Sequence, residues 1–380
     1  MNLMLEFISQ SDTFELREFS KVVRRFAESQ LAELTDFRRA DFVSMGALGL
    51  TGMSLSEKVG GSASSQLEIS AAIFEIARAQ LGPAIYLSVH SMVSKLIEQF
   101  GATTNQQILE ELAAAKKLGA FCLTEAHAGS DASALRTQAE DAGDSWILRG
   151  EKIYITSGTV ADVYLVFART GEHQTKGISA FVVARGTPGL TTGPAEKKMG
   201  CHGAPICSIH FDNCRIPKGA LLGNVGDGYS IARFGLNGGR ISIAACACGL
   251  ASTALQLAAE HATHRKQFGA ELATFQGLQF MLADMAMKLQ ASILLTRHAA
   301  TLLDAGAEER GPASMAKCFA TDRAMEITTD GVQLLGGAGY LEDYKVERLM
   351  RDAKMLQIVE GTNQIQRSII SRWLFEQVKP

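Results

Sequence analysis

RDAKMLQIVEGTNQIQR, residues 351–367, sets a carboxylate against a glycine at an abrupt break between two helical patterns. Before the break, Leu349, Met350, Ala353, Leu356 and Gln357 recur at helical spacing; after it, Ile365, Ile369, Ile370, Trp373 and Leu374 do the same. Gly361 tolerates a bent backbone, and Thr362 is placed to N-cap the final helix. Glu360, flanked by Ile358 and Val359, would point from such a corner into an apolar cleft. Desolvation there raises a carboxylate's pKa toward the range in which it takes a proton from carbon. A solvated glutamate on a surface turn is the bland reading of the same stretch.

Helical periods extend back from the corner over 229–264, 274–304, 312–336 and 343–377, which read as an antiparallel four-helix bundle. Within the first of these, Ile241–Ala259 carries no charge and is nearly long enough to span a bilayer. Its Ala, Ser, Cys, Gly and Thr content, with Gln256 inside, reads instead as a helix buried in the bundle. Upstream, short β-type runs at Phe121–Leu123, Trp146–Leu148, Ile153–Ile155, Val163–Phe167, Ile178–Val183 and Ser208–Phe211 predict six or seven strands. Before them the pattern is helical, broken at Gly60-Gly61 and Gly82-Pro83. The expected fold class is α+β: an N-terminal α-helical domain (1–118), a middle barrel-like β-sheet domain (119–228) and a C-terminal four-helix bundle (229–380). The order α, β, α is not the βαβ alternation of a doubly wound nucleotide-binding sheet.

Composition narrows the class. At 380 residues, 47% hydrophobic and 20% charged, the chain has a globular profile and room for two or three domains. A net charge of −3 without a Lys/Arg run argues against nucleic-acid binding. The seven cysteines include no CxxC pair and read as reduced thiols that bind no metal. Glu6 and Asp12 interrupt any signal-peptide layout at the N-terminus, and no membrane insertion is expected.

Four further motifs are weak singly. Thr124–Asp131, TEAHAGSD, follows a strand and offers backbone N–H groups and hydroxyls to a phosphate or planar heterocycle, or is a solvated turn. Gly223–Gly228 lacks GxGxxG order and reads as a domain hinge. Arg265–Gly269, RKQFG, either stabilises a helix C-terminus or reaches a pyrophosphate across a subunit boundary. The glycines of Gln333–Tyr340 are helix caps or leave room for a ligand.

Jointly and in order, LGLTGMSLSEKVGGS (48–62), FCLTEAHAGSD (121–131), GEKIYITSG (150–158), RKQFG (265–269), LLGGAGY (334–340) and the corner stretch resemble the acyl-CoA dehydrogenase family over essentially the whole chain. The resemblance implies FAD as cofactor, cradled by Phe121, Leu123, Thr124 and Ser130, with Tyr154, Ile155 and Thr156 against the isoalloxazine. Arg265, Gln267, Gln276, Gln333, Gly336 and Gly337 would hold the adenine-dinucleotide half, partly from a neighbouring subunit, and Thr362 and Gln364 would complete the flavin site. Ser130, Asn237, Arg240 and Gly361 would line the substrate, with Arg240 near the base. Glu360 would be that base, its N–H bonded to the thioester carbonyl; it would take the pro-R α-proton as the β-hydride moves to flavin N5, yielding a trans-2-enoyl-CoA. An electron-transfer flavoprotein as acceptor, a homotetramer built as a dimer of dimers, and a bacterial cytoplasmic or mitochondrial matrix location are implied in the same way.

The chain departs from the family pattern in places. Ala126 and His127 stand where Pro and Gly are usual, and His127 reads as a rim residue rather than a second acid. Tyr154 replaces a common Trp, and His202, Ala204 and Ile206 replace common Arg, Ser and Thr, putting local hydrogen bonding there in question. Members that carry the base on the preceding helix place it immediately before an Arg; that position is Gly239, which leaves Glu360 as the candidate. GLNGGRI and QFMLADMA (279–286) are most similar to isobutyryl-CoA dehydrogenases. Isobutyryl-CoA or another short or short-branched acyl-CoA is the leading substrate, with straight-chain butyryl-CoA next. An oxidase on the same fold and a flavin-free acyl-CoA-binding scaffold are the competing readings.

Overall fold

The computed structural model describes residues 6–32, 35–101, 106–306 and 310–378, so the outermost residues of the first and last expected domains lie outside the described residues. Five α-helices come first among the described residues: α1 (Phe14–Phe26), α2 (Arg39–Ala47), α3 (Gln66–Ala79), α4 (Leu81–Phe100) and α5 (Gln106–Ala113). Local chemistry sets their ends. Ser65 and Glu68 form a reciprocal capping box at the start of α3, each side chain accepting the other's backbone N–H. Gln80 both ends α3 and caps α4.

Eight strands follow, against the six or seven expected: β1 (Gly119–Cys122), β2 (Gln138–Asp141), β3 (Ser145–Thr156), β4 (Val163–Arg169), β5 (Ile178–Ala184), β6 (Leu190–Thr192), β7 (Ile206–Pro217) and β8 (Leu221–Leu222). The surplus comes from short strands such as β6 and β8, too brief to show a period. Their order is β6-β7-β3-β2-β4-β5-β8, with β1 parallel to β4 beside β2. Val163–Phe167 reads as an unbroken apolar run because both of its faces are covered. Val163, Leu165 and Phe167 pack toward α4 and the start of the bundle, while Tyr164 and Val166 join a core drawn almost wholly from strands. The sheet therefore curls onto itself, although its pairing path stays open at β6 and β8.

The last part holds α6 (Gly228–His264), a short hairpin of β9 (Lys266–Gln267) and β10 (Ala270–Glu271), α7 (Gln276–Asp304), α8 (Arg310–Leu335), α9 (Val346–Leu356) and α10 (Asn363–Gln377). The expected fourth helix is thus two, separated at the Glu360 corner. The loop expected to be a hinge, Gly223–Gly228, is clamped: Gly226 N–H donates to Ser179 Oγ at 2.9 Å, and a Cβ on Gly228 would lie 2.5 Å from the Ser179 carbonyl carbon. Helices α6 and α7 are both long and apolar enough to cross a membrane by length and composition; α6 is mostly buried in the protein, and α7 mostly half-buried or exposed. All seven cysteines are free and buried.

One hydrophobic core runs through α1, α3 and the start of α4 into α6, α7, α8 and α9, so the N- and C-terminal helices form a single packed body. Helices α3 and α6 cross closely within it, and a Cβ on Gly249 would meet Phe74 O at 2.3 Å. Gly249→Val therefore forces these backbones apart. It should destabilise the protein by about 1–3 kcal/mol, read as a lower melting temperature in thermal unfolding.

Candidate active site

The chain leaves α9 at Leu356, turns, and re-enters a helix at Asn363 with Thr362 Oγ1 accepting the Ile365 N–H at 3.4 Å. Glu360 has φ +55 and Gly361 φ +89. Positive φ suits glycine but costs a β-carbon residue on the order of 1 kcal/mol, so the bend at Glu360 needs outside support. It comes from three helices. The Glu360 carbonyl accepts from Gln366 Nε2 (α10) at 3.0 Å and more distantly from Arg240 Nε (α6) at 3.5 Å. The Gly361 carbonyl accepts from Gln366 Nε2 at 2.8 Å and from Lys317 Nζ (α8) at 3.0 Å. The Glu360 N–H meets no acceptor among the described residues.

Glu360 as a whole is half-buried, but its Oε2 is sealed from solvent and makes no hydrogen bond. It faces α6 where that helix has no side chain: a Cβ on Gly239 would lie 2.8 Å from Oε2 and 3.3 Å from Met92 Sδ. Burial pushes Glu360 up to about 7, against the pull of Arg240 and then Lys317. Burial likewise lowers Arg240 to about 10, with Glu360 opposing the shift. Arg240 Nη1 and Asn237 Oδ1 are also buried without partners. Unsatisfied polar atoms are uncommon in folded interiors, and three of them lie along one stretch of α6 and the corner it faces. Asn237, Gly239 and Met92 line a cleft of about 690 Å³ between α3, α4 and α6, together with Arg233 and Arg310. Neither arginine is ion-paired among the described residues, and burial, then Arg233, lowers the Arg310 pKa.

The other expected residues fall into two groups. In the first, the turn Glu125–Ala128 is braced from beneath: buried Lys152 pairs with Glu125 at 2.7 Å and donates to Leu123 O at 3.0 Å, while Glu125 accepts the N–H groups of Arg136 and Thr137. Burial alone would raise Glu125; Lys152 and these donors hold it below its ordinary value. Phe121 packs on Phe167 with ring centroids 4.9 Å apart, Leu123 is buried, Thr124 half-buried and Ser130 exposed. His127 sits at the rim, 3.5 Å from Glu125. Tyr154 lies in a β-bulge of β3 with φ +57 and 64% of its surface exposed, beside buried Ile155 and half-buried Thr156. Thr362 and Gln364 edge a separate hollow with Ile358 and Arg367. In the second group, Arg265, Gln267, Gln276, Gln333, Gly336 and Gly337 are all exposed, and no hydrogen bond or ion pair joins them to the corner among the described residues. The substituted segment around His202 is held by other means: Lys198 Nζ donates to the Cys201 and Ala204 carbonyls, and Asp352 accepts the Cys201 N–H.

Lys317 and Gln366 escaped the sequence reading. The one available signal for Lys317 was a single charge in the otherwise uncharged run Gly311–Thr321.

The raised Glu360 pKa has a consequence for stability. Between about 4.5 and 7 the unfolded chain gives up this proton while the folded one keeps it, so stability falls as pH rises through that window. Glu360→Gln removes the penalty. The variant should gain on the order of 2 kcal/mol over the wild type at pH 8, the shift being discounted for water in the cleft, and gain nothing at pH 4.5. Paired thermal melts at the two pH values check this.

Three family models match in sequence: the acyl-CoA dehydrogenase N-terminal domain over residues 13–117, the middle domain over 120–214 and the C-terminal domain over 226–375. An acyl-CoA dehydrogenase of Bacillus subtilis is 45% identical over 364 residues, 93% of this chain and 96% of that one. The mitochondrial isobutyryl-CoA dehydrogenase of Dictyostelium discoideum is 41% identical, covering 95% of this chain and 89% of the relative. The structure of butyryl-CoA dehydrogenase from Megasphaera elsdenii superposes with a TM-score of 0.94 at 39% identity, over 97% of this chain and 100% of that one. The chain belongs to the acyl-CoA dehydrogenase family, flavoprotein oxidoreductases that act on acyl-CoA.

Proposed function

We propose that the chain dehydrogenates a short or short-branched acyl-CoA to the corresponding 2-enoyl-CoA, with isobutyryl-CoA the leading substrate, butyryl-CoA next, and Glu360 the base for the α-proton. The observation that carries this is the corner itself. A buried carboxylate oxygen without a partner lies against Gly239, whose backbone lines the cleft, and the N–H of the same residue meets no acceptor among the described residues, a pairing that suits removal of an α-proton and polarisation of the adjacent thioester carbonyl. At a pKa of about 7, Glu360 is basic enough to accept a proton from carbon and still largely ionised just above neutrality. Arg240 secures the corner and Asn237 offers an amide to the substrate chain. Arg233 and Arg310 suit the phosphates of CoA.

FAD is the cofactor of this reading, and when bound it supplies the acceptor for the β-hydride. The residues fit such a group. The Tyr154 ring is unpacked and held forward by a bulge, the 124–130 turn is rigidly braced, and Gly336 and Gly337 present bare backbone with open space around it. Leu123, Thr124, Ser130, Ile155, Thr156, Thr362 and Gln364 would complete the flavin end. Arg265, Gln267, Gln276 and Gln333, exposed in one chain, would serve the adenine end from a neighbouring copy. Phe280, Met287 and Leu294 recur every seventh residue on α7 and are 60%, 63% and 57% exposed. That stripe supports cover by a second copy, in the homotetramer that the resemblance implies. An electron-transfer flavoprotein is the proposed electron acceptor.

Support for a short acyl group comes from α4. Met92 and Leu96 press directly onto the bare backbone of α6: a Cβ on Gly235 would meet Leu96 Cδ1 at 2.7 Å and Met92 Cγ at 3.1 Å. Met92 Sδ also lies 3.3 Å from a Cβ built on Gly239, beside the base, and Met92 is the side chain we take to limit the length of the acyl chain.

Anaerobic titration of the yellow holoprotein tests the reading. Isobutyryl-CoA or butyryl-CoA should bleach the flavin rapidly and octanoyl-CoA slowly; a flavin that no acyl-CoA bleaches would refute it. Glu360→Gln should retain flavin and bind substrate, yet lose reduction by about 10⁴-fold or more, as removing the group that takes the proton requires. Met92→Ala should shift the kcat/KM profile toward six- to eight-carbon chains. An unchanged profile would remove Met92 as the limit on length.

A further inference from the structure

Lys317 is fully buried on α8, yet no carboxylate lies within ion-pair distance of it among the described residues. Its Nζ donates to Gly361 O at 3.0 Å and to Asn363 Oδ1 at 2.8 Å, gripping the chain on both sides of Thr362. Thr321, one turn along α8, is 2.9 Å from Asn363 Nδ2, and Asp322 accepts from the same amide at 2.7 Å while holding Arg367 at 2.6 Å. Helix α8 thus fastens the first turn of α10 and the glycine that follows the base.

Burying an ammonium costs several kcal/mol, and a methionine of similar volume would fill the space more cheaply. What methionine cannot supply is a donor for the Gly361 carbonyl or a positive charge near the corner. The charged and titratable groups facing Lys317 are Glu360 at the corner, Arg240 on α6, and Cys318 and Asp322 on its own helix. Asp322 is already engaged by Arg367, Asn363 and Gln357. Glu360 is the carboxylate left over. Burial lowers Lys317 to about 8, above the value of about 7 for Glu360, so the ammonium is the main form at the midpoint of Glu360 ionisation.

We propose that Lys317 is a positioning residue for proton abstraction: through Gly361 O and Asn363 it holds the Glu360 corner bent, and with Arg240 it is a buried countercharge of the Glu360 carboxylate. The proposal rests on Glu360 being the base. Lys317 does not touch the reacting atoms; it fixes where the base and its N–H sit and how readily the base ionises.

The test is stopped-flow flavin reduction of holoenzyme Lys317→Met by isobutyryl-CoA or butyryl-CoA, anaerobically, from pH 6 to 9. The variant should keep its flavin and bind substrate within a few-fold of the wild type. Its limiting reduction rate should fall by roughly 100-fold, the scale expected for a misplaced catalytic group. The pH midpoint of that rate should rise by about one unit, since an opposite charge favouring the carboxylate has gone. Lys317→Gln, a neutral donor, should recover part of the rate and none of the midpoint. Wild-type rate and midpoint in Lys317→Met would overturn the proposal. Should that variant not fold, Asn363→Ala cuts the same grip without removing the charge: a lowered rate at an unchanged midpoint supports it, and a wild-type rate overturns it. A wild-type protein that neither acyl-CoA reduces would defeat the functional reading and this proposal with it; wild-type reduction with unaltered variants would defeat the proposal alone.

Discussion

The bend at Glu360–Gly361 is the constraint on which the site depends. A residue with a β-carbon is held at positive φ, its carbonyl and the next one drawn by Arg240, Gln366 and Lys317 from three different helices. With both carbonyls engaged by these donors, the Glu360 N–H and Oε2 remain without partners among the described residues. Relaxation of the corner to ordinary helix would continue α9 into α10 and remove the carboxylate from the position it now holds opposite Gly239.

Two cations lie near this carboxylate, and their attraction would ordinarily lower its pKa. Burial wins: Glu360 rises to about 7, while Arg240 and Lys317 fall to about 10 and 8. All three shifts go toward the neutral form, as expected where desolvation exceeds pairwise attraction and no direct ion pair compensates. Buried Lys152 and Glu125 under the 124–130 turn provide the contrast. There a 2.7 Å contact and two backbone donors overcome burial and keep the carboxylate ionised. The first arrangement suits a group that must exchange a proton, the second a brace that must not.

Much of this was legible in the sequence because the signals were local. The Glu360-Gly361-Thr362 break appears as a change of helical phase, and Thr362 caps α10 as its residue type suggests. The uncharged run in α6 is core. The short β runs before Gly228 do form one sheet, although two-residue β8 carries no period to find. What stayed hidden depends on contacts between distant parts of the chain. Lys317 looks like any helical lysine until the fold sets it against Gly361. Gln366 lies inside the 351–367 stretch, yet nothing local says that its amide turns back on two carbonyls. Tyr154 owes its forward position to a bulge that only pairing with β7 reveals. The clamped Gly223–Gly228 loop read as a hinge because Ser179, which holds it, is more than forty residues away in sequence.

The ionisation of Glu360 in the resting protein tests the central claim most directly. Infrared difference spectra between wild type and Glu360→Gln, recorded across pH, isolate the carboxyl stretch of this one residue. A titration midpoint near 7 is the result that a desolvated base requires. A midpoint near the ordinary glutamate value of about 4.3 would mean that water reaches the carboxylate freely, and the corner could not then be the proton acceptor described above.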